Sequence, residues 1–128
     1  MGGPLFHISM ATHLNEYFSP HAPVKTEHIL STAGLTPVHS LLAHSLGDPG
    51  QGILVSRPIY GRFELDFGNV AGLKIVYADM NGTDPFEVGV VDYYAQALNK
   101  ASSEGTKICA ILIVNPHNPL GMFSHQIY

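Results

Sequence analysis

The sequence predicts an α/β fold, a three-layer unit with a mostly parallel sheet, in a single domain over residues 1–128. Three observations carry that expectation. Short apolar runs of strand length alternate with longer stretches in which apolar residues recur every three or four positions, the order that builds a sheet covered by helices. The run over residues 108–114 is apolar at every position, as in a strand covered on both faces. The composition, 45% hydrophobic and 12% charged, supplies one modest core and argues against disorder.

Residues 5–18 place Phe6, Met10, Leu14 and Tyr17/Phe18 on one stripe of a helix stopped by Ser19-Pro20. Residues 28–32 read as a short first strand leading into Ala33-Gly34. In the next helix Thr36 is a good N-cap and Pro37 suits the first helical position. Val38, Leu41, Leu42 and Ser45/Leu46 then line one face. Asp48-Pro49-Gly50 turns the chain into a second strand over residues 52–56. A helix over about 61–70 buries Phe63, Phe67 and Val70, and residues 73–78, β-branched with Tyr77, form a third strand. After a polar loop at 81–86, a helix over about 88–102 turns Val91, Ala95 and Leu98 inward. The run at 108–114 is the fourth and central strand, so Ile111→Ala or Leu112→Ala should each cost about 2–5 kcal/mol. Residues 124–128 look like the first turn of another helix.

A net charge of -4 leaves no basic footprint for nucleic acid. No apolar stretch reaches the roughly 18–20 residues of a membrane span, and the start has no signal-peptide layout. A myristoylation match would need Ser or Thr where Phe6 stands. These readings make a cytoplasmic protein the expectation. Cys109, the single cysteine, reads as a strand residue with no internal disulfide partner. Eight histidines invite a metal reading, but His39 and His44 are five apart and His13 has only Glu16 near it, so no metal is expected.

The strongest chemical signal is Asn115-Pro116-His117-Asn118-Pro119-Leu120-Gly121, directly after the fourth strand. Polar loops at the carboxyl ends of strands are where α/β sheets place ligands, although composition alone also allows a plain strand-ending turn. The string resembles the Asn-Pro-x-Asn-Pro-x-Gly signature of fold-type I, pyridoxal-phosphate-dependent aminotransferases of classes I and II. It is most like the branch that contains the 1-aminocyclopropane-1-carboxylate synthases and their fungal relatives. The resemblance implies that Asn118 hydrogen-bonds the phenolic oxygen of the cofactor ring.

Other stretches fit the same family in order. Residues 3–18 look like the family's opening helix. Thr32-Ala33-Gly34-Leu35-Thr36-Pro37 is similar to its phosphate-cup loop, which implies that Gly34, Leu35 and Thr36 offer backbone N–H groups and a hydroxyl to a phosphate. A helix N-terminus favours an anion on physical grounds as well, and an ordinary cap is the plainer alternative. Asp48-Pro49-Gly50 with residues 53–60 resembles the family's Asp-Pro-Gly-Asp…Pro-x-Tyr run, which implies that Tyr60 stacks on the pyridine ring. A half-buried Tyr at a helix start is the plainer reading there.

The family's enzymes run to several hundred residues, and this sequence stops just after the Asn-Pro motif. The aldimine-forming Lys, the Asp facing the pyridine nitrogen and the Arg that holds the substrate carboxylate are expected beyond it. Lys25, Lys74, Lys100 and Lys107 do not lie in the family's Lys motif. The expectation is therefore a truncated large-domain segment with part of a pyridoxal phosphate cup, binding that cofactor weakly and non-covalently or not at all. Such a segment would not run the parental reaction alone. Two alternatives stay open: a repurposed isomerase or cyclase acting without the cofactor, with Tyr60 and His117 as candidate catalytic groups, or a non-catalytic module that pairs with a full-length relative. In the family the first strand lies across the sheet from the other three. An unpaired strand therefore implies a homo-oligomer or a full-length partner, and a small-molecule ligand remains the other partner class.

Overall fold

Strand β1 (Gly52–Ser56) is the centre of the fold, and each of its five residues is buried. The strand β2 (Lys74–Ala78) pairs with it on one side and β3 (Ile108–Ile111) on the other, both parallel, in the order β2-β1-β3. The computed structural model describes residues 3–122. It divides the chain into two units, residues 1–38 and residues 39–128.

In the second unit both faces of β1 are covered, because alternate residues of a strand point to opposite sides. Ile53 packs with Ala43, Phe63, Phe67, Ala71 and Leu73. Leu54, wholly inaccessible, packs on the other side with Ala78 and Met80 and with Val90, Tyr93, Tyr94 and Ala97 around the helix α3 (Val90–Ser103). Burying a side chain such as Leu54 contributes about 1.5–3 kcal/mol. The α/β expectation of a parallel sheet between helices therefore holds in this unit.

Four details differ from the sequence reading. The first is the place of the most apolar run. The strand β3 lies at the sheet edge among the described residues, not at the centre, and Ile111 and Ile113 are 54% and 70% exposed. Hydropathy records that a run can be buried, whereas strand order follows from pairing. A register shift against Gly52 and Ile53 turns both Cys109 and Ala110 toward the Phe63 side.

The second detail concerns residues 63–71. Their helix contains a π-helical segment, Glu64–Asn69, and the wider turn brings Phe63, Phe67 and Ala71 inward while Val70 stays 48% exposed. Third, α3 is rotated from the expected phase: Val90, Tyr93, Tyr94, Ala97 and Ala101 face the sheet, and Val91 and Leu98 face out. Two tyrosines with large apolar bodies outweigh the smaller aliphatic stripe. Fourth, in the helix α2 (Leu35–Leu46) the buried residues are His39 and Ala43, while Leu41, Leu42 and Leu46 are exposed. His39 takes the inner face because a buried carboxylate waits for it there.

The first unit is built from α1 (Pro4–Tyr17) and a 3-10 turn, Thr26–His28. Pro4 begins the helix after an extended Gly3, as its fixed φ favours. Asn15 ties helix to loop, its amide donating to the Val24 carbonyl at 2.8 Å and its carbonyl accepting from the Val24 N–H at 2.7 Å. The expected stripe on α1 is largely open: Phe6, Tyr17 and Phe18 are exposed and Ala11 is buried. The expected strand at 28–32 is replaced by the 3-10 turn followed by an extended Ile29. An extended segment becomes a strand only with a ladder partner, and none of the described residues pairs with it. The expected helical turn at 124–128 lies outside the described residues.

Candidate functional site

The candidate site residues fall in both units. In the first, Gly34 adopts φ +104° just before α2, a conformation that glycine reaches without a Cβ penalty. The Thr32 hydroxyl donates to the Gly34 carbonyl and closes the turn. Leu35 is the first residue of α2, so the helix begins two residues earlier than expected and Thr36 sits inside the first turn instead of capping it. Gly34, Leu35 and Thr36 are all exposed. First-turn N–H groups lack intrahelical carbonyls, so this segment can present donors outward.

In the second unit, His117 and Asn118 line a small cavity of about 30 Å³ at the carboxyl ends of β1 and β3, together with Ser56, Phe86, Tyr94 and Leu112. The loop is held by its own backbone: the His117 N–H donates to the Met122 carbonyl at 2.8 Å, and the Gly121 N–H donates to the His117 carbonyl at 2.6 Å. Gly121 closes that ring at φ +67°. Both Asn–Pro bonds of the loop are cis. Asn118 is exposed while its neighbour His117 is 8% exposed and packs edge-on to Phe86, with 5.5 Å between ring centroids. The His117 Nδ1 atom is buried and makes no hydrogen bond among the described residues. Leaving such a group unpaired costs about 1–3 kcal/mol.

Tyr60 is half-buried and does not line that cavity. Its ring meets Phe63 at 5.6 Å, and Phe63 in turn meets His39 at 5.3 Å. This aromatic row ends on a polar anchor that sequence reasoning missed. The His39 Nδ1 and Asp66 Oδ2 atoms are 2.8 Å apart, with the two side chains 7% and 3% exposed, and Arg62 reaches the other Asp66 oxygen at 3.5 Å. The signal was present in the sequence: Asp66 falls between Phe63 and Phe67 in an otherwise apolar stripe, a position a carboxylate keeps only with a buried partner.

The lysines Lys25, Lys74, Lys100 and Lys107 are exposed, and none lines the Asn118 cavity. Among the described residues no three His, Cys, Asp or Glu side chains group as metal ligands, and no helix is long and apolar enough to cross a membrane. One further cluster lies on β2, where the Tyr77 hydroxyl donates to Glu64. The Arg57 guanidinium stands 3.6 Å from the centre of the Tyr77 ring and 3.5 Å from the Asp79 carboxylate.

Comparison with known proteins gives a consistent picture. The family model for aminotransferase class I and II matches residues 2–125. The chain is 33% identical to aminotransferase verI of Clonostachys rogersoniana over 121 residues, 94% of this chain and 28% of the relative. It is 34% identical to 1-aminocyclopropane-1-carboxylate synthase 5 of Oryza sativa subsp. japonica over 116 residues, 91% of this chain and 22% of the relative. Among solved structures, an archaeal alanine:glyoxylate aminotransferase matches with a TM-score of 0.78 at 28% identity, covering 97% of this chain and 29% of that one. Cystalysin from Treponema denticola, whose crystal structure contains a pyridoxal 5'-phosphate cofactor, shares the fold with a TM-score of 0.63 at 23% identity, over 88% of this chain and 27% of that one. The chain spans less than a third of the length of these relatives.

Proposed function

The chain belongs to the aminotransferase class I and II family, and from that membership we propose that it is a partial large domain that holds pyridoxal phosphate without a covalent link. The residues present fit the group in each unit taken separately. Gly34, Leu35 and Thr36 offer N–H donors and a hydroxyl at the start of a helix, the arrangement that suits a phosphate. Asn118 offers an exposed carboxamide at the strand ends, and Tyr60 a half-buried ring held in place by Phe63. When bound, the cofactor supplies an electron sink for a carbanion on the substrate.

The tasks of this chain's own residues are binding and orientation. Gly34 and Leu35 would offer N–H groups to a phosphate, and Thr36 its hydroxyl. Asn118 would donate to the phenolic oxygen of the ring, and Tyr60 would support the ring face. No described lysine lines the cavity beside Asn118, which supports the reading of a cofactor held without an imine. The observation that carries the reading is the Asn118 loop at the carboxyl ends of two parallel strands, where ligands of α/β sheets bind. The exposed Ile111 at the end of the edge strand and Ile113 just beyond it support association, either with a second copy or with a full-length relative.

Titration with pyridoxal phosphate tests the reading. The expected result is saturable binding without a protonated-imine absorbance band and without a lysine adduct trapped by borohydride. Asn118→Ala and Thr36→Val should each weaken binding about tenfold, the loss of one hydrogen bond to a charged group. A stoichiometric trapped adduct on one lysine, or unchanged affinity in both variants, would sink it.

A further inference from the structure

The cavity beside the Asn118 loop holds a polar atom that the proposed cofactor contacts do not use. His117 is 8% exposed, its Nδ1 atom is buried and makes no hydrogen bond among the described residues, and the ring is fixed edge-on against Phe86. The cavity it lines is about 30 Å³ in volume, and Ser56, the last residue of β1, lines it from the sheet side at 9% exposure. A site with room for a water needs roughly 10–15 Å³ and two or more polar partners, whereas a cavity lined only by apolar groups stays dry. The volume suffices for a water, and two residues that carry polar side-chain atoms, His117 and Ser56, line the same space.

We propose that this cavity is a water site in which one ordered water bridges His117 Nδ1 to the Ser56 hydroxyl, making His117 a positioning residue for its neighbour Asn118. The bridge joins the loop to the end of the central strand β1 through a side chain. Within the loop, backbone bonds run from His117 to Met122 and from Gly121 to His117. Asn118 follows His117 directly, so tethering the imidazole restricts where the exposed carboxamide can point. A bridging water holds two polar groups nearly as well as a direct hydrogen bond. The water site stands on geometry alone, while its positioning role rests on the cofactor reading given above.

Two readouts on the full chain separate those layers. In water-selective NMR, the wild type should show cross-relaxation between a long-lived water and the His117 ring protons, and Ser56→Ala should lose it. In pyridoxal phosphate titrations, His117→Asn keeps a polar atom near the Nδ1 position and should bind within about twofold of wild type. His117→Leu fills the space without one and should bind about tenfold more weakly, the scale of one lost hydrogen bond to a fixed group. Circular dichroism confirms that each variant is folded. A wild type without a long-lived water at His117 overturns the site, whether or not the cofactor binds. Wild-type affinity in a folded His117→Leu overturns the positioning role. A wild type that shows the water but binds no cofactor overturns the function reading and leaves the water site standing.

Discussion

Strands β1 and β3 are neighbours in one sheet, run parallel, and read as similar apolar segments, yet they live in different environments. The run beginning at Ile108 is the longer and more apolar of the two, but Ile111 is 54% exposed, while Leu54 of β1 is wholly inaccessible. The difference lies in what covers them. β1 has a strand on each side and packed side chains above and below. β3 has one strand partner, and it contributes inward residues chiefly toward the Phe63 side through Cys109 and Ala110, with Leu112 and Val114 following just beyond the strand. Apolar content measures the capacity to be buried, and the count of covering neighbours decides how much of that capacity is used.

Truncation tests the contrast most directly. Leu54→Ala should cost about 2–5 kcal/mol in denaturant unfolding, the range for emptying a filled core site. Leu112→Ala, partly buried against the Phe63 cluster, should fall between that and the surface value. Ile111→Ala should cost less than about 1 kcal/mol, since most of its apolar surface is already in water. Equal losses at Leu54 and Ile111 would mean that β3 is covered in solution, by a second copy or another partner.

A smaller effect should come from adding an atom to the crowded strand. A Cβ built at Gly52 would stand 2.7 Å from Ile108 Cδ1 and 3.0 Å from Val76 Cγ2, so Gly52→Ala should destabilise by about 1–3 kcal/mol, with Ile108 giving way first. An unchanged midpoint would show that the β1–β3 gap is looser than these distances imply.

The open edge gives a third test. Ile113→Lys should change stability by no more than about 0.5 kcal/mol, as for other exposed sites, while shifting any oligomer toward monomer in sedimentation. A clear loss of stability in a protein that is already monomeric would place Ile113 in a core and erase the contrast.

The smallest effect is expected on β2, the opposite edge, which carries polar groups where β3 carries isoleucines. Partial burial, and then the Glu64 carboxylate that accepts its hydrogen bond, hold the Tyr77 phenol above its ordinary value, against the opposing pull of Arg57. A raised phenol stabilises the folded state fully below the unfolded value of about 10, and that contribution is lost as pH rises through the raised value. Tyr77→Phe should therefore lower stability slightly at neutral pH and flatten the alkaline limb of a stability-against-pH curve. A steeper alkaline limb in the variant would reverse the assignment.

Much of the fold was legible in the order of segments. The runs that became β1, β2, β3 and the four helical segments stood where periodicity put them, because a two- or four-residue rhythm of apolar side chains is a local property. Facing was less legible. Val91 and Leu98 were expected inside α3, but Tyr93 and Tyr94 occupy that side, and on α2 the buried residue is His39 where three leucines were expected. Each of those choices depends on a group far away in sequence: Leu54 and Ala78 for the tyrosines, Asp66 for the histidine.

By itself the sequence determined the parallel α/β plan, the family, and the loop that carries His117 and Asn118, since motif and rhythm are written along the chain. Only the tertiary structure decided that β1 is central and the more apolar β3 lies at the edge. It alone showed that Val70 faces out, that His39 and Asp66 pair in the core, and that His117 lines a cavity with Ser56 while Tyr60 does not. The reason is physical: hydropathy is an attribute of a residue, whereas burial, pairing and the company a side chain keeps are attributes of the surfaces that fold against it.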